Sequence, residues 1–421
     1  MKTLYKNCYV LTGHEIKYTS LVVDGDVISY IGDKAGEYDE MRDMNGMLLM
    51  PGLINTHTHL AMTLVRGAGS GLPLQRWLNE AIFPIEAKMK PEDIQAGTAW
   101  AITEMLKSGT TAAVDMYDFP WAEAETLMAS GIKASLCRVG LAFSEDTEIP
   151  PNRLNECIDF VKNFNDPSGR VTAEFCLHSE YLTNEKFVRG IAEANRKLKA
   201  RVNIHVSETA REHNESIERH GLTPIQYFDS LGVFENPAYA AHCVWVTDKD
   251  LEIMAKKNVS LIHNPSSNLK LGSGFADIKK AMDKGVNVGL GTDGVASNNN
   301  LNMFEEMHLA ALLATGLHQD AAAIKAEDII DMATVNGAKA MGRDTGILEA
   351  GKKADIIAVS LDGPHMVPSF DILPLLVYSA QGSDVKMTMV DGRVLYDDGI
   401  YSTIDVDKAK FDLAEAIKRI Y

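Results

Sequence analysis

Eight short apolar runs, each ending in polar or titratable residues, alternate with helical patterns along the middle of this chain. They read MLLMPGLINTHTH, TTAAVDMY, KASLCRVGLAF, VTAEFCLHSEY, RVNIHVSE, YAAHCVWV, SLIHNPSSN and NVGLGTDG. The connectors carry helix punctuation. In PEDIQAGTAWAITEMLKSG, Pro91 suits the first helical turn, Glu92 and Asp93 suit its positive end, and Gly109 follows the last turn. Asn302, with Glu305 three residues on, makes a capping-box pattern at the head of NMFEEMHLAALLATGL. Eight strands alternating with helices over roughly 300 residues is the pattern of an α/β fold of the (β/α)8 TIM-barrel type. An open doubly wound sheet alternates in the same way, so the count alone leaves both architectures in play.

The flanks have a different texture. LYKNCYVLTG and SLVVDGDVISYIGDKAG near the start, and ADIIAVSL and KMTMVDGRVLYDDGI near the end, are short β patterns. An Asp-Gly between apolar residues is a strong hairpin signal, and both flanks carry one. Residues 1–50 and 351–405 are therefore expected to pair into one small β-sandwich domain. The barrel then spans 51–350, and 406–421 forms a C-terminal helix.

With 421 residues, 46% of them hydrophobic, the chain has material for one large core and a smaller one. A net charge of −17, spread without runs, makes it a poor binder of phosphate backbones, so no nucleic-acid partner is expected. Lys2 and Lys6 are followed by no long apolar segment, and no run of about 18 apolar residues occurs; neither a signal peptide nor a membrane partner is expected. Cys8, Cys137, Cys157, Cys176 and Cys243 are odd in number and scattered, without a CxxC. That argues against a disulfide framework and thiolate metal sites, and fits a reducing cytoplasm.

The chemistry collects at the C-terminal ends of the eight runs, which in a (β/α)8 barrel is the active-site face. His57 and His59 end the first, His178 the fourth, and His205 the fifth, with Glu208 three residues on. His242 lies in the sixth, His263 in the seventh, and Asp293 closes the eighth. Side chains in a strand repeat every two residues, so His57 and His59 share a face. A single histidine at a strand end is more often a satisfied polar residue than a ligand, and His263 alone reads that way. Taken with His205 and Asp293, however, the His57/His59 pair reads as a metal site. Three neutral imidazoles and one carboxylate suit one divalent ion, Zn2+ before Fe2+ or Mn2+, with room for a water whose pKa falls towards ~7.

Other patterns fail on context. GLGTDG matches GxGxxG but closes the last strand instead of opening a helix early in a βαβ unit. His178-Ser179-Glu180 matches the H-x-E of cytidine-type deaminases, yet no PCxxC follows. HNPSSN and ASNNN read as polar turns.

PGLINTHTHLAMTLVRG, NIHVSET, HNPSSNLKLGSG and GTDGVASNNNLNMFEEM together resemble the amidohydrolase superfamily, in its branch of aminohydrolases with one metal ion. With LPLQRWLNEAIFPIEAKM, the blocks resemble more closely the 5-methylthioadenosine/S-adenosylhomocysteine deaminases within it. The resemblance covers nearly the whole chain, including the tail GILEAGKKADIIAVSL. It implies His57, His59, His205 and Asp293 as metal ligands, Glu208 and Asp293 as proton carriers at the substrate, and His242 as partner of the attacking hydroxide. It also implies that Glu86, Arg138 and His178 hold a nucleoside. Dinuclear members use a carbamylated lysine at the end of strand four; FCLHSEY has His178 and no lysine, so one ion is expected.

The implied reaction is hydrolytic deamination of 5'-modified adenosines such as S-adenosylhomocysteine and 5'-methylthioadenosine, releasing ammonia. Adenine deamination needs hydroxide at the amine-bearing carbon, a proton for the neighbouring ring nitrogen and protonation of the leaving amine, which Glu208 and a carboxylate at the metal can supply. Several side chains keep two readings. Glu86 suits a ribose diol, or is a helix-surface glutamate; Arg138 binds a substrate carboxylate, or makes a structural ion pair. Trp77 packs on the base or thioether, or simply fills the core. The competing activity is an aminohydrolase or chlorohydrolase of guanine, pterin or s-triazine rings, which lack ribose. A non-catalytic scaffold would have lost metal ligands that this chain keeps. A homo-oligomer is expected by analogy. The choice among 5' substituents is left to loops such as GAGSGLPLQRW and AFSEDTEIPPNR.

Overall fold

The computed structural model describes residues 1–142 and 152–421. Its first five strands, β1 (Lys2–Thr12), β2 (Glu15–Asp24), β3 (Val27–Ile31), β4 (Glu40–Asp43) and β5 (Met47–Pro51), belong to the β layer built from both termini. The eight barrel strands follow: β6 (Leu53–Thr58), β7 (Thr110–Tyr117), β8 (Lys133–Arg138), β9 (Val171–Leu177), β10 (Val202–Val206), β11 (Ala238–His242), β12 (Val259–His263) and β13 (Val288–Leu290). The chain then returns to the first layer as β14 (Ile356–Ser360), β15 (Val385–Val390), β16 (Arg393–Asp397) and β17 (Ile400–Tyr401).

The β layer is one mixed sheet in the order β17-β16-β15-β14-β5-β1-β2-β3, with β4 parallel to β1. Its halves join where β14 runs antiparallel to β5, Ile356 opposite Pro51 and Ser360 opposite Met47. Register shifts at Tyr5/Cys8, Val22/Val23, Ala358/Val359 and Thr388/Met389 bend the strands, as bulges do. The bent sheet encloses a core of Val10, Leu21, Leu49, Ile356 and Met387. Both Asp-Gly turns are present, and they touch: a Cβ on Gly392 would lie 1.9 Å from the Gly25 carbonyl oxygen.

MLLMPGLINTHTH, one run in the sequence, is two strands in two sheets. β5 lies in the terminal layer and β6 in the barrel, and Gly52 between them passes so close to Thr111 that a Cβ would sit 2.2 Å from its side chain. Neighbouring strands from β6 to β13 pair in sequence order and in parallel. The last strand meets the first: Thr56 Oγ1 donates to Leu290 O at 2.6 Å, and the Asp293 N–H donates to His57 O at 2.9 Å. That seam decides for a closed barrel over an open sheet.

The helix Pro91–Lys107 forms as its punctuation implies. The C-terminal helix Val406–Ile420 lies against it, with Arg419 Nε donating to Asp93 Oδ1 at 3.1 Å. At Met303–His318 the capping box is half made. Asn302 Oδ1 accepts from Phe304 N–H at 3.2 Å, but Glu305 turns to Asn300 instead. Among the described residues no helix is long and apolar enough to cross a membrane.

Candidate active site

The closing seam of the barrel is also where its most unusual chemistry lies. His57 in β6, His59 just after it, His205 in β10 and Asp293 beyond β13 bring four ligand atoms within 4.8 Å of one another, all buried. Backbone carbonyls fix two of the rings. His59 Nδ1 lies 2.6 Å from Met116 O and His205 Nδ1 lies 2.8 Å from His178 O, so each Nδ1 carries the proton and each Nε2 faces the cluster. Asp293 is held by three donors: Gly294 N–H to Oδ1 at 2.7 Å, and Ser267 and Ser297 hydroxyls to Oδ2 at 2.6 and 3.0 Å.

These atoms are arranged for a cation. His59 Nε2 and His205 Nε2 face each other at 3.3 Å, and among the described residues His57 has no hydrogen-bond partner on either nitrogen. Asp293 Oδ1 sits 3.1 Å from His59 Nε2 and 3.5 Å from His57 Nε2. Burial holds the His57 imidazole down to about 4, neutral as a ligand must be. Burial would lower His59 too, but the Asp293 carboxylate reverses the sign and lifts it to about 9. The proton that His59 would hold against Asp293 marks the place of positive charge that a divalent ion fills with three nitrogen donors and one oxygen.

Two further groups border the cluster. Asn268 Oδ1 lies 2.8 Å from His242 Nδ1, which assigns the proton there and leaves Nε2 facing Glu208 Oε2 at 3.9 Å. Burial raises the Glu208 carboxyl above its ordinary range, and Ser273 Oγ donates to it at 3.3 Å. Glu212 holds the turn that carries Glu208, accepting the N–H groups of Ser207 and Glu208 at 3.0 and 2.8 Å. Ser207, His242 and Asp293 have left-handed backbones, φ +49°, +72° and +60°, a strained conformation for such residues that aims the strand ends at one point.

The cluster opens into a cavity of about 340 Å³ whose lining includes the polar His59, His178, His205, Glu208, His242 and Asp293 and the apolar Trp77, Leu74, Leu78 and Phe83. Glu86, half-buried in the lining, accepts from Tyr117 OH at 2.6 Å, and burial raises its carboxyl. Trp77 is buried and donates Nε1–H to Ala68 O at 2.9 Å, so it is both wall and core. His178 joins the lining beside His205, ring centroids 4.6 Å apart, and burial holds it down to about 3. Arg138 does not line the cavity. Glu156 accepts from its Nε and Nη2 at 3.0 and 2.9 Å, and Asp118 from its Nη1, which is the structural pairing weighed in the sequence. Arg153 lines the cavity instead, beside Asp118 and Tyr117; Arg153 closes the loop AFSEDTEIPPNR, but none of the three is singled out as a site residue by the sequence. The polar loop that ends at Arg153 is described only from residue 152 on, residues 143–151 lying outside the described residues. His263 is buried and, among the described residues, has no hydrogen-bond partner and is not part of the lining.

The amidohydrolase family model matches residues 48–395. A 5-methylthioadenosine/S-adenosylhomocysteine deaminase of Caldanaerobacter subterraneus subsp. tengcongensis is 39% identical over 428 aligned positions, covering 100% of this chain and 99% of the relative. A 5'-deoxyadenosine deaminase of Methanosarcina mazei is 42% identical, covering 99% of this chain and 98% of its own. Among solved structures, an adenosine deaminase from Xanthomonas campestris with bound zinc superposes with a TM-score of 0.91 at 30% identity, covering 99% of this chain and 98% of that one.

Proposed function

The chain belongs to the amidohydrolase family, and from that premise we propose that it is a metal-dependent deaminase of 5'-modified adenosines. It converts the adenine of S-adenosylhomocysteine, 5'-methylthioadenosine or 5'-deoxyadenosine to hypoxanthine and releases ammonia. One observation carries the reading: a single cavity joins the candidate metal-ligand cluster to the half-buried Glu86 carboxylate. Ring chemistry has its machinery on one side, and a ribose diol has an acceptor on the other. The activities named for the full-length relatives support the same choice.

His57, His59, His205 and Asp293 would hold the ion. When bound, it supplies the Lewis acidity that makes a water deprotonatable near neutral pH. His242 Nε2 orients the attacking oxygen. The Asp293 carboxylate, fixed by two serines and a backbone N–H, accepts that water's proton and returns it to the departing amine. Glu208, whose carboxyl burial raises above its ordinary range, donates to the ring nitrogen beside the reacting carbon. His178 closes the base side, and Trp77 covers it with apolar surface. Three nitrogen donors and one carboxylate favour Zn2+, although Fe2+ and Mn2+ accept the same set. Five free, buried cysteines agree with a cytoplasmic protein, and a homo-oligomer is proposed by analogy.

The test is a panel of adenosines, guanine, a pterin and an s-triazine, with released ammonia and the adenine-to-hypoxanthine absorbance change as readouts. Turnover of 5'-methylthioadenosine is expected. Turnover of none of the adenosine derivatives would overturn the proposal.

A further inference from the structure

Asp293 and His242 are held by side chains that trace back to one buried residue outside the cavity. Ser267 and Ser297 donate to Asp293 Oδ2 at 2.6 and 3.0 Å, and Asn268 Oδ1 accepts from His242 Nδ1 at 2.8 Å. Ser267 and Asn268 are consecutive residues of the short helix Pro265–Lys270, while Ser297 lies in the loop after β13. Glu306, in the helix Met303–His318, reaches both segments. Its Oε2 accepts from the Ser266 N–H at 3.2 Å, one residue before Ser267. Its Oε1 accepts from Asn298 Nδ2 at 2.8 Å, one residue after Ser297. Asn298 Nδ2 also donates to Thr292 O at 2.8 Å, the carbonyl just before Asp293. Glu306 is fully buried, lines no part of the cavity and is not one of the four clustered side chains.

Burying a carboxyl is costly, and among the described residues no lysine or arginine lies within ion-pair distance of Glu306 to offset it. Its helix neighbours Phe304 and Met307 are buried apolar residues, so packing alone would be served by another of that kind. What a carboxyl adds is two acceptors at a fixed spacing, and here each takes a different segment of chain. Resting on the metal-dependent reading above, we infer that Glu306 is a positioning residue. It ties the helix Pro265–Lys270 to the loop after β13, and so holds Asp293 through two serines and His242 through Asn268. A residue that only packed its helix would affect stability and leave the ligand geometry alone.

The experiment measures Zn2+ affinity of the full chain by competition with a chelator, without substrate. Four proteins are compared: unsubstituted, Glu306→Ala, Ser267→Ala with Ser297→Ala, and all three changes together. Glu306→Ala should weaken zinc binding by about tenfold or more, the usual effect of removing a support behind a metal ligand. In the background of both serine changes, where Asp293 Oδ2 has already lost its two hydroxyl donors, the same change should weaken binding by less than about threefold, because the residues act in series. On the zinc-saturated protein, Glu306→Ala should lower kcat for 5'-methylthioadenosine by about tenfold or more and leave KM within about twofold, since the Glu86 side of the cavity is untouched. Equal losses of zinc affinity in both backgrounds would overturn the inference, as would a Glu306→Ala protein that melts lower yet binds zinc as tightly as the unsubstituted one. If Glu306→Ala does not fold, Asn298→Ala, which removes one of the two ties, goes through the same cycle and is read by the same two outcomes. If no adenosine derivative is turned over, the deaminase reading falls and the zinc cycle still decides this inference.

Discussion

The residues that carry the chemistry differ in what each should cost when changed. Among the described residues Glu208 bonds Ser273 and faces His242, and it is not among the four clustered side chains that could hold an ion. Glu208→Gln should therefore cut kcat by about 10²–10⁴-fold, the usual worth of a positioned proton donor, while one metal ion per chain still binds. Steady-state kinetics with elemental analysis of the same sample checks this; a variant that loses its metal would contradict the assignment. Glu86→Ala should lower kcat/KM on 5'-methylthioadenosine by about 10²-fold, because a diol loses its charged acceptor. Unchanged activity on a substrate without ribose would favour the competing ring substrates. The clustering of His57, His59, His205 and Asp293 was legible in the sequence because strand-end position and residue type single these four out. Asp118, Arg153 and Tyr117 were not: their roles depend on which side chains a closed barrel brings alongside Glu86, and nothing local to them encodes that. Arg138 shows the converse, an arginine between apolar strand residues that reads equally as a substrate anchor or an ion-pair partner in the sequence and is paired with Asp118 and Glu156 in the fold.

At the scale of elements, the ligand geometry depends on how tightly β13 and its following loop pass β6. A Cβ on Gly291 would lie 2.6 Å from Asn264 Oδ1 and 2.8 Å from both Cβ and N of His57. Backbone cannot yield there as a side-chain tip would. Gly291→Ala should thus destabilise the protein by about 1–3 kcal/mol and weaken zinc binding, measured by thermal denaturation and by competition with a chelator. Full zinc affinity in that variant would show that the seam does not set the site. The alternation of runs and helical patterns predicted the elements well, since hydrophobic patterning and helix punctuation are local. It failed where the chain changes sheet without changing texture, as at Gly52, and where a cap is outcompeted, as Glu305 is by Asn300. The left-handed backbones at Ser207, His242 and Asp293 were invisible for the same reason: tertiary contacts impose them on residues that do not prefer them.

For the whole molecule, buried ionisable groups set a pH dependence whose sign can be worked out. Burial raises the carboxyls of Glu212 and Glu306 from 4.5 to about 8. The folded chain then holds those protons more tightly than the unfolded one, so stability is lost as pH rises from about 4.5 to about 8. Burial lowers His178 and His263 from 6.5 to about 3, so their contribution is lost as pH falls below 6.5. The melting temperature should therefore peak between these limbs and decline from pH 6.5 to 8. Glu306→Gln should flatten that decline in thermal denaturation, and an unchanged slope would contradict the assignment. The joining of both termini into one sheet was legible from two matching Asp-Gly hairpins; closure of the barrel was not, because an open sheet has the same pattern of runs. The measurement that tests the account most directly is titration of the chelated, metal-free protein with Zn2+ while 5'-methylthioadenosine deamination is followed. Activity should rise from zero and saturate at one ion per chain, and His57→Ala should abolish the response. Deamination without metal, or saturation only at a second ion, would contradict it.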